Sequence, residues 1–208
     1  MVKYTVVENF KGKAFWRAAF AECLGTAMFI YIGCGSVIQP GRNTSDITRT
    51  AIGFGFTMAA LVRALGPISG CHLNPSVSLA LLIVGRLSVI RALVYLISQL
   101  LGAIIGAGLL MAVVPQQQRG HLGITVLSKG INEYQGFAAE TIFTFVLVMV
   151  ICSCTDDARP DSESNNGPMV IGLAYTVLHL MAVSQLLFYH FLNLRLNNKN
   201  RFLLLVVV

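Results

Sequence analysis

The chain has 208 residues, of which 55% are hydrophobic and only 12% charged, with a mean hydropathy of +0.71 and a formal charge of +6. A soluble domain carries roughly a quarter charged residues, so this composition excludes an ordinary soluble enzyme or nucleic-acid binder. Charge-free stretches run from Cys23 to Gly41, Ala64 to Gly85, Ala92 to Gln118 and Ser164 to Leu194. A membrane-crossing helix needs about 20 mostly apolar residues, and several of these stretches are long enough.

In chain order, hydropathy and charged breaks predict five spans at Phe15–Ile38, Thr50–Leu65, Ser88–Val114, Phe137–Cys154 and Met169–Leu187. No cleavable signal peptide is read before the first, because Lys3, Glu8, Lys11 and Lys13 interrupt the apolar run. Between the second and third spans lies Pro75–Val84, whose ten residues would reach about 15 Å as a helix, half a bilayer. Asn74-Pro75 is a helix start with proline in the first turn, so a re-entrant half-helix is expected there. With the N-terminus in the cytoplasm, eight Lys/Arg side chains fall inside against four outside, which favours that orientation. Asn43-Thr44-Ser45 is then a glycosylation sequon in the first outer loop. The five cysteines all lie in or beside apolar segments, so neither a disulfide framework nor a metal site is expected.

The chain repeats itself. Ala21-Glu22-Cys23-Leu24-Gly25-Thr26 matches Ala139-Glu140-Thr141-Ile142-Phe143-Thr144, and Ile52-Gly53-Phe54-Gly55-Phe56-Thr57 matches Ile171-Gly172-Leu173-Ala174-Tyr175-Thr176. The separations, 118 and 119 residues, are nearly equal, as a duplication requires. An odd number of spans separates the copies, so the second enters the membrane inverted, and inverted repeats build a central pathway between their halves. At that depth Gly70-Cys71-His72-Leu73-Asn74-Pro75-Ser76 is the sharpest local signal. The half-helix turns the positive end of its dipole towards the membrane centre, Asn74 caps it, and an extended Gly70–Leu73 backbone would offer carbonyls to a passing solute. That combination suits a neutral polar solute and repels cations.

His72-Leu73-Asn74-Pro75-Ser76, within Ile68–Ser76, resembles the first Asn-Pro-Ala box of the aquaporin (major intrinsic protein) family, with Ser76 in place of alanine. The paired Ala-Glu-x-x-x-Thr stretches and the flanks Phe15-Trp16-Arg17 and Arg91-Ala92-Leu93 resemble the family too, over about residues 14–183. The resemblance implies an all-α membrane fold of five transmembrane helices plus one re-entrant half-helix, with a first repeat at 14–114 and a partial second at 137–183. It implies a passive water channel of the plasma membrane, water as permeant, a homotetramer in the bilayer, and neither enzymatic activity, nor a cofactor, nor nucleic-acid binding. By the same resemblance Glu22 and Glu140 brace the half-helix loops, while Phe54 and His179 form an outer constriction that favours water over glycerol. Gly70, Cys71 and His72 belong to the lined approach, where mercurials would reach Cys71.

After Val183 the sequence departs from the family pattern: no second Asn-Pro-Ala box and no sixth span are read in Ser184–Val208. Those residues are expected to be an aberrant tail, read through from a retained intron. A second function class follows, a non-conducting subunit that assembles or interferes with full-length relatives and is held in the endoplasmic reticulum. A facilitator of small neutral solutes such as glycerol is the other alternative.

Overall fold

A computed structural model describes residues 12–38, 46–118, 133–156 and 166–185. The described residues form six helices: α1 (Lys13–Val37), α2 (Ile47–Ser69), α3 (Pro75–Ile83), α4 (Val89–Val113), α5 (Glu133–Cys154) and α6 (Gly167–Gln185). A single 3₁₀ turn follows α4 at Gln116–Gln118. Helices α1, α2, α4 and α5 are each long and apolar enough to cross a membrane; the apolar part of α6, Gly167–Met181, is shorter. Asn43 and the tail from residue 186 lie outside the described residues.

Local chemistry sets the helix ends. The Asp46 side chain caps α2 by accepting from the Arg49 amide at 3.1 Å, and Ser88 caps α4 by accepting from the Arg91 amide at 3.2 Å. Helix α2 ends at Gly70, whose φ of 91° is the left-handed conformation that terminates a helix, with its amide returned to the Gly66 carbonyl. This corrects the expected end at Leu65. Pro67 sits inside the last turn, where it forfeits one backbone bond but leaves the Gly70–Gly66 closure intact.

Backbone contacts reveal the path through the membrane. Along α1 and α4, Cys23 faces Gly102 and Ala27 faces Gly106, so these two helices run parallel. Along α1 and α2, Ser36 faces Gly53 whereas Leu65 reaches Gly25, so this pair is antiparallel. Helix α2 therefore runs towards the face where α1 begins but stops at the depth of Glu22, and α4 starts again from that face. The nine residues of α3 span about 13 Å, half a bilayer, so the half-helix returns the chain from that depth to the face, as expected. Arg86, in the turn after α3, donates to the Cys152 carbonyl (3.2 Å) and the Thr155 hydroxyl (3.1 Å), which brings the end of α5 to that face as well. Phe54 meets His179, while Ala59 meets Gly172, so α6 is antiparallel to α2. Helices α5 and α6 thus lie inverted with respect to α1 and α2, the arrangement the sequence repeat requires.

Two helix pairs, α1 with α4 and α2 with α6, meet backbone to backbone. A Cβ on Gly102 would collide with the Cys23 carbonyl, and one on Gly106 with the Ala27 carbonyl. Across the repeats, a Cβ on Gly172 would lie 2.6 Å from both the Gly55 carbonyl and the Ala59 Cβ. Lipid tails are as apolar as leucine, so close packing by small residues is the available driving force. Large side chains such as Ile83, Val113, Phe145 and Val177 point outward and are exposed, as a lipid-facing surface demands.

Gly106→Leu is therefore expected to separate α1 from α4, at a cost of about 1–3 kcal/mol or more for the overpacked contact. Gly108, two residues on, has open space around its Cα, so Gly108→Leu is the matched control. Thermal unfolding in detergent checks the pair: the first substitution lowers the midpoint and the second leaves it near wild type.

Candidate functional site

The site is organised by one carboxylate. Glu22, on α1, is fully buried and accepts four hydrogen bonds. Its Oε1 receives the Ser69 hydroxyl at 2.6 Å and the His72 amide at 3.0 Å, and its Oε2 receives the Leu73 amide at 2.8 Å and Gln99 Nε2 at 2.9 Å. Hydrogen bonds to a charged group contribute roughly 1.5–3 kcal/mol each, which offsets the desolvation of a carboxylate at membrane depth. Two consecutive backbone amides converge on it as in an anion-binding nest.

That anchor explains the backbone between α2 and α3. Gly70, Cys71 and Leu73 have φ of 91°, 53° and 49°, all in the left-handed region. The segment is therefore not the extended run expected from the sequence. A left-handed conformation at a residue with a Cβ costs on the order of 1–3 kcal/mol, and it persists here because surrounding bonds over-determine it. The Cys71 amide donates to the Ser69 hydroxyl at 3.0 Å, and the Tyr95 hydroxyl donates to the Ser69 carbonyl at 2.8 Å. His72 Nδ1 lies 3.1 Å from the Ser78 hydroxyl, which also accepts from Gln99 Nε2 at 2.9 Å. Together Glu22, Ser69, His72, Ser78, Tyr95 and Gln99 tie α1, α2, α3 and α4 to the loop.

The loop delivers Asn74 to the start of α3. Its Oδ1 accepts from the Ser76 amide at 2.8 Å, Pro75 fills the first turn, and Asn74 itself is buried. Ser76 is half-buried, Cys71 and His72 are buried, and Gly70 is exposed. The positive end of the α3 dipole therefore sits at Asn74 in the membrane interior.

One helix turn away stands a cluster of rings. Phe54 and His179 stack with centroids 4.5 Å apart and planes at 19°, so the two expected constriction residues are brought into direct contact. His179 Nδ1 lies 3.0 Å from the Tyr175 carbonyl, which fixes the imidazole orientation. Phe29 meets Phe54 at 5.3 Å and Tyr175 at 5.7 Å, both edge to face. The Tyr175 hydroxyl is buried beside the Asn74 side chain and Cys71.

Of the residues expected from the sequence, Glu22 and His72 meet in the loop network that leads to Asn74, and Phe54 and His179 stack between α2 and α6. Ser69, Ser78, Tyr95, Gln99, Phe29 and Tyr175 were missed. A buried Gln in a charge-free span was a usable signal for Gln99, since a polar side chain at that depth needs a partner. Glu140, the repeat counterpart of Glu22, is half-buried and forms no hydrogen bond among the described residues, and the segment it is expected to brace lies outside them.

This asymmetry is measurable. Glu22→Gln keeps the shape but aims an NH₂ group at donors, and breaking such a buried network costs about 3–5 kcal/mol. The expected result is a large fall in folded yield and melting midpoint in detergent, whereas Glu140→Gln shifts the midpoint little. Equal losses from the two variants would contradict the assignment.

A family model described as major intrinsic protein matches residues 9–186. Human aquaporin-5 is 39% identical over 170 residues, covering 82% of this chain and 64% of the relative. Sheep aquaporin-1 is 35% identical over 187 residues, covering 86% of this chain and 69% of the relative. The chain thus spans about two thirds of the length of the curated relatives it matches. Among solved structures, the aquaglyceroporin from Plasmodium falciparum superposes with a TM-score of 0.72 over 83% of this chain and 74% of that one, at 20% identity, a likeness of fold alone. With a braced Asn-Pro half-helix, an inverted repeat and these matches together, the chain belongs to the major intrinsic protein family of membrane channels.

Proposed function

We propose that this chain forms a transmembrane pathway for water, driven by osmotic gradients and closed to ions. The observation that carries the reading is the delivery of Asn74 and the positive end of α3 to the bundle interior by the Glu22-anchored loop, facing the Phe54–His179 pair. A positive dipole end disfavours cations and hydronium, while an asparagine amide can exchange hydrogen bonds with a neutral solute. The bulk of Phe54 and His179 supports a passage too narrow for a polyol. Human aquaporin-5 and sheep aquaporin-1, the relatives named above, support water as the permeant. The same resemblance supports a homotetramer at the plasma membrane, glycosylated at Asn43.

A second reading, the non-conducting subunit, has one observation in its favour. Phe54 and His179 stack ring on ring, a contact that such a subunit could keep and that a channel must leave room beside.

Stopped-flow light scattering on proteoliposomes of the full chain separates the two. The channel reading expects osmotic shrinkage faster than in empty vesicles, with a low activation energy and no accompanying ion leak. Shrinkage equal to that of empty vesicles supports the non-conducting subunit. His179→Gly is expected to raise glycerol flux relative to water, because removing the ring widens the passage; an unchanged ratio would place selectivity elsewhere.

A further inference from the structure

We propose that Tyr175 is a permeation-limiting residue, an aromatic shutter that closes the pathway between the Phe54–His179 pair and Asn74. The inference rests on the channel reading above and names the residue that would limit that channel.

The placement follows from helix direction. Helix α6 is antiparallel to α2, so moving one turn back from His179 leads away from the face where α2 begins and towards the membrane centre. Tyr175 lies there, four residues before His179, about 6 Å deeper. Its ring meets Phe29 of α1 edge to face and lies parallel to His179 with centroids 6.1 Å apart. Its hydroxyl sits beside Asn74 and Cys71. Exposure falls from 8% at Phe54 and 7% at His179 to 2% at Phe29 and Tyr175. The rings therefore fill the space from α1 to α6 below the outer pair, and a solute coming from the face where α2 begins meets Tyr175 before Asn74.

Its ring contacts and the Asn74 side chain beside its hydroxyl hold Tyr175 in the closed arrangement, and each is no stronger than an ordinary aromatic contact or hydrogen bond. Turning the ring aside would bring that hydroxyl to water and expose Asn74 in the same movement. The ring contacts with Phe29 and His179 oppose the turn, and two aromatic contacts of ordinary strength correspond to roughly a tenfold bias towards the closed arrangement.

The test compares wild type, Tyr175→Phe and Tyr175→Ala, with Tyr175→Leu used if the alanine variant does not fold. Water permeability of proteoliposomes is one readout. The second needs no conduction: Cys71 is kept as the sole cysteine, and its rate of modification is measured with a small methanethiosulfonate added at the face where α2 begins. The shutter expects Tyr175→Ala to raise water permeability or Cys71 modification roughly tenfold. Tyr175→Phe should change neither much, because the ring and not the hydroxyl fills the passage. Tyr175→Ala matching wild type in both readouts overturns the proposal, as does Tyr175→Phe matching Tyr175→Ala. Faster Cys71 modification with no water flux from any variant upholds the shutter and sinks the channel reading. Wild-type flux unaltered in the alanine variant, with Cys71 equally protected, sinks the shutter and leaves the channel reading intact.

Discussion

Everything in this bundle depends on keeping a carboxylate satisfied where there is no water. Glu22 is buried at membrane depth, and an unpaired charge there is more expensive than almost any other single defect. Its four donors come from α2, the loop and α4, so satisfying it requires those three segments to converge on α1. The left-handed backbone at Cys71 and Leu73 is the local cost of that convergence, and the placement of Asn74 is its result. The channel-forming feature is thus a by-product of electrostatic satisfaction, since α3 starts where the carboxylate's demands leave the chain.

Much of this was legible from residue types. The length of Pro75–Val84 and its Asn-Pro start defined the half-helix, and the matched hexapeptides defined the inversion; both follow from chain length and periodicity, which bilayer thickness converts directly into geometry. The positions of Phe54 and His179 were legible through resemblance, but their stacking was not, because ring-to-ring distance depends on helix approach across the repeat. The loop backbone was misread as extended since neither Cys71 nor Leu73 belongs to a residue type that favours positive φ. The hydrogen bonds that the His72 and Leu73 amides donate to Glu22, and the Cys71 amide to Ser69, select that conformation, and no local pattern announces them.

The end of α2 teaches a related lesson. Pro67 reads as a breaker, yet a proline in the final turn removes a single amide while Gly70 closes the helix beyond it. Glu140 occupies the equivalent place to Glu22 in the repeated hexapeptide, and the amides it would need lie outside the described residues. Gln99 and Ser78 show the converse, being indispensable to the network while standing outside any motif.

The glycine contacts between α1 and α4 bear on how such a bundle moves. Where Gly102 and Gly106 lie against the Cys23 and Ala27 carbonyls, the touching surfaces are main chain, which has no rotamers to exchange. Such a joint has one seating, so that pair behaves as a stiff post on the microsecond scale. On the opposite flank, the meeting of α1 with α6 is mediated by rings at 5.7 Å, which can turn within their own volume. Helix α6 is itself seated on α2 by the main-chain contact of Gly172 with Gly55, so freedom is left to the rings between α1 and α6 and not to the helices. Relaxation measurements on Phe29 and Tyr175 would find slow exchange there while both glycine seams stay silent.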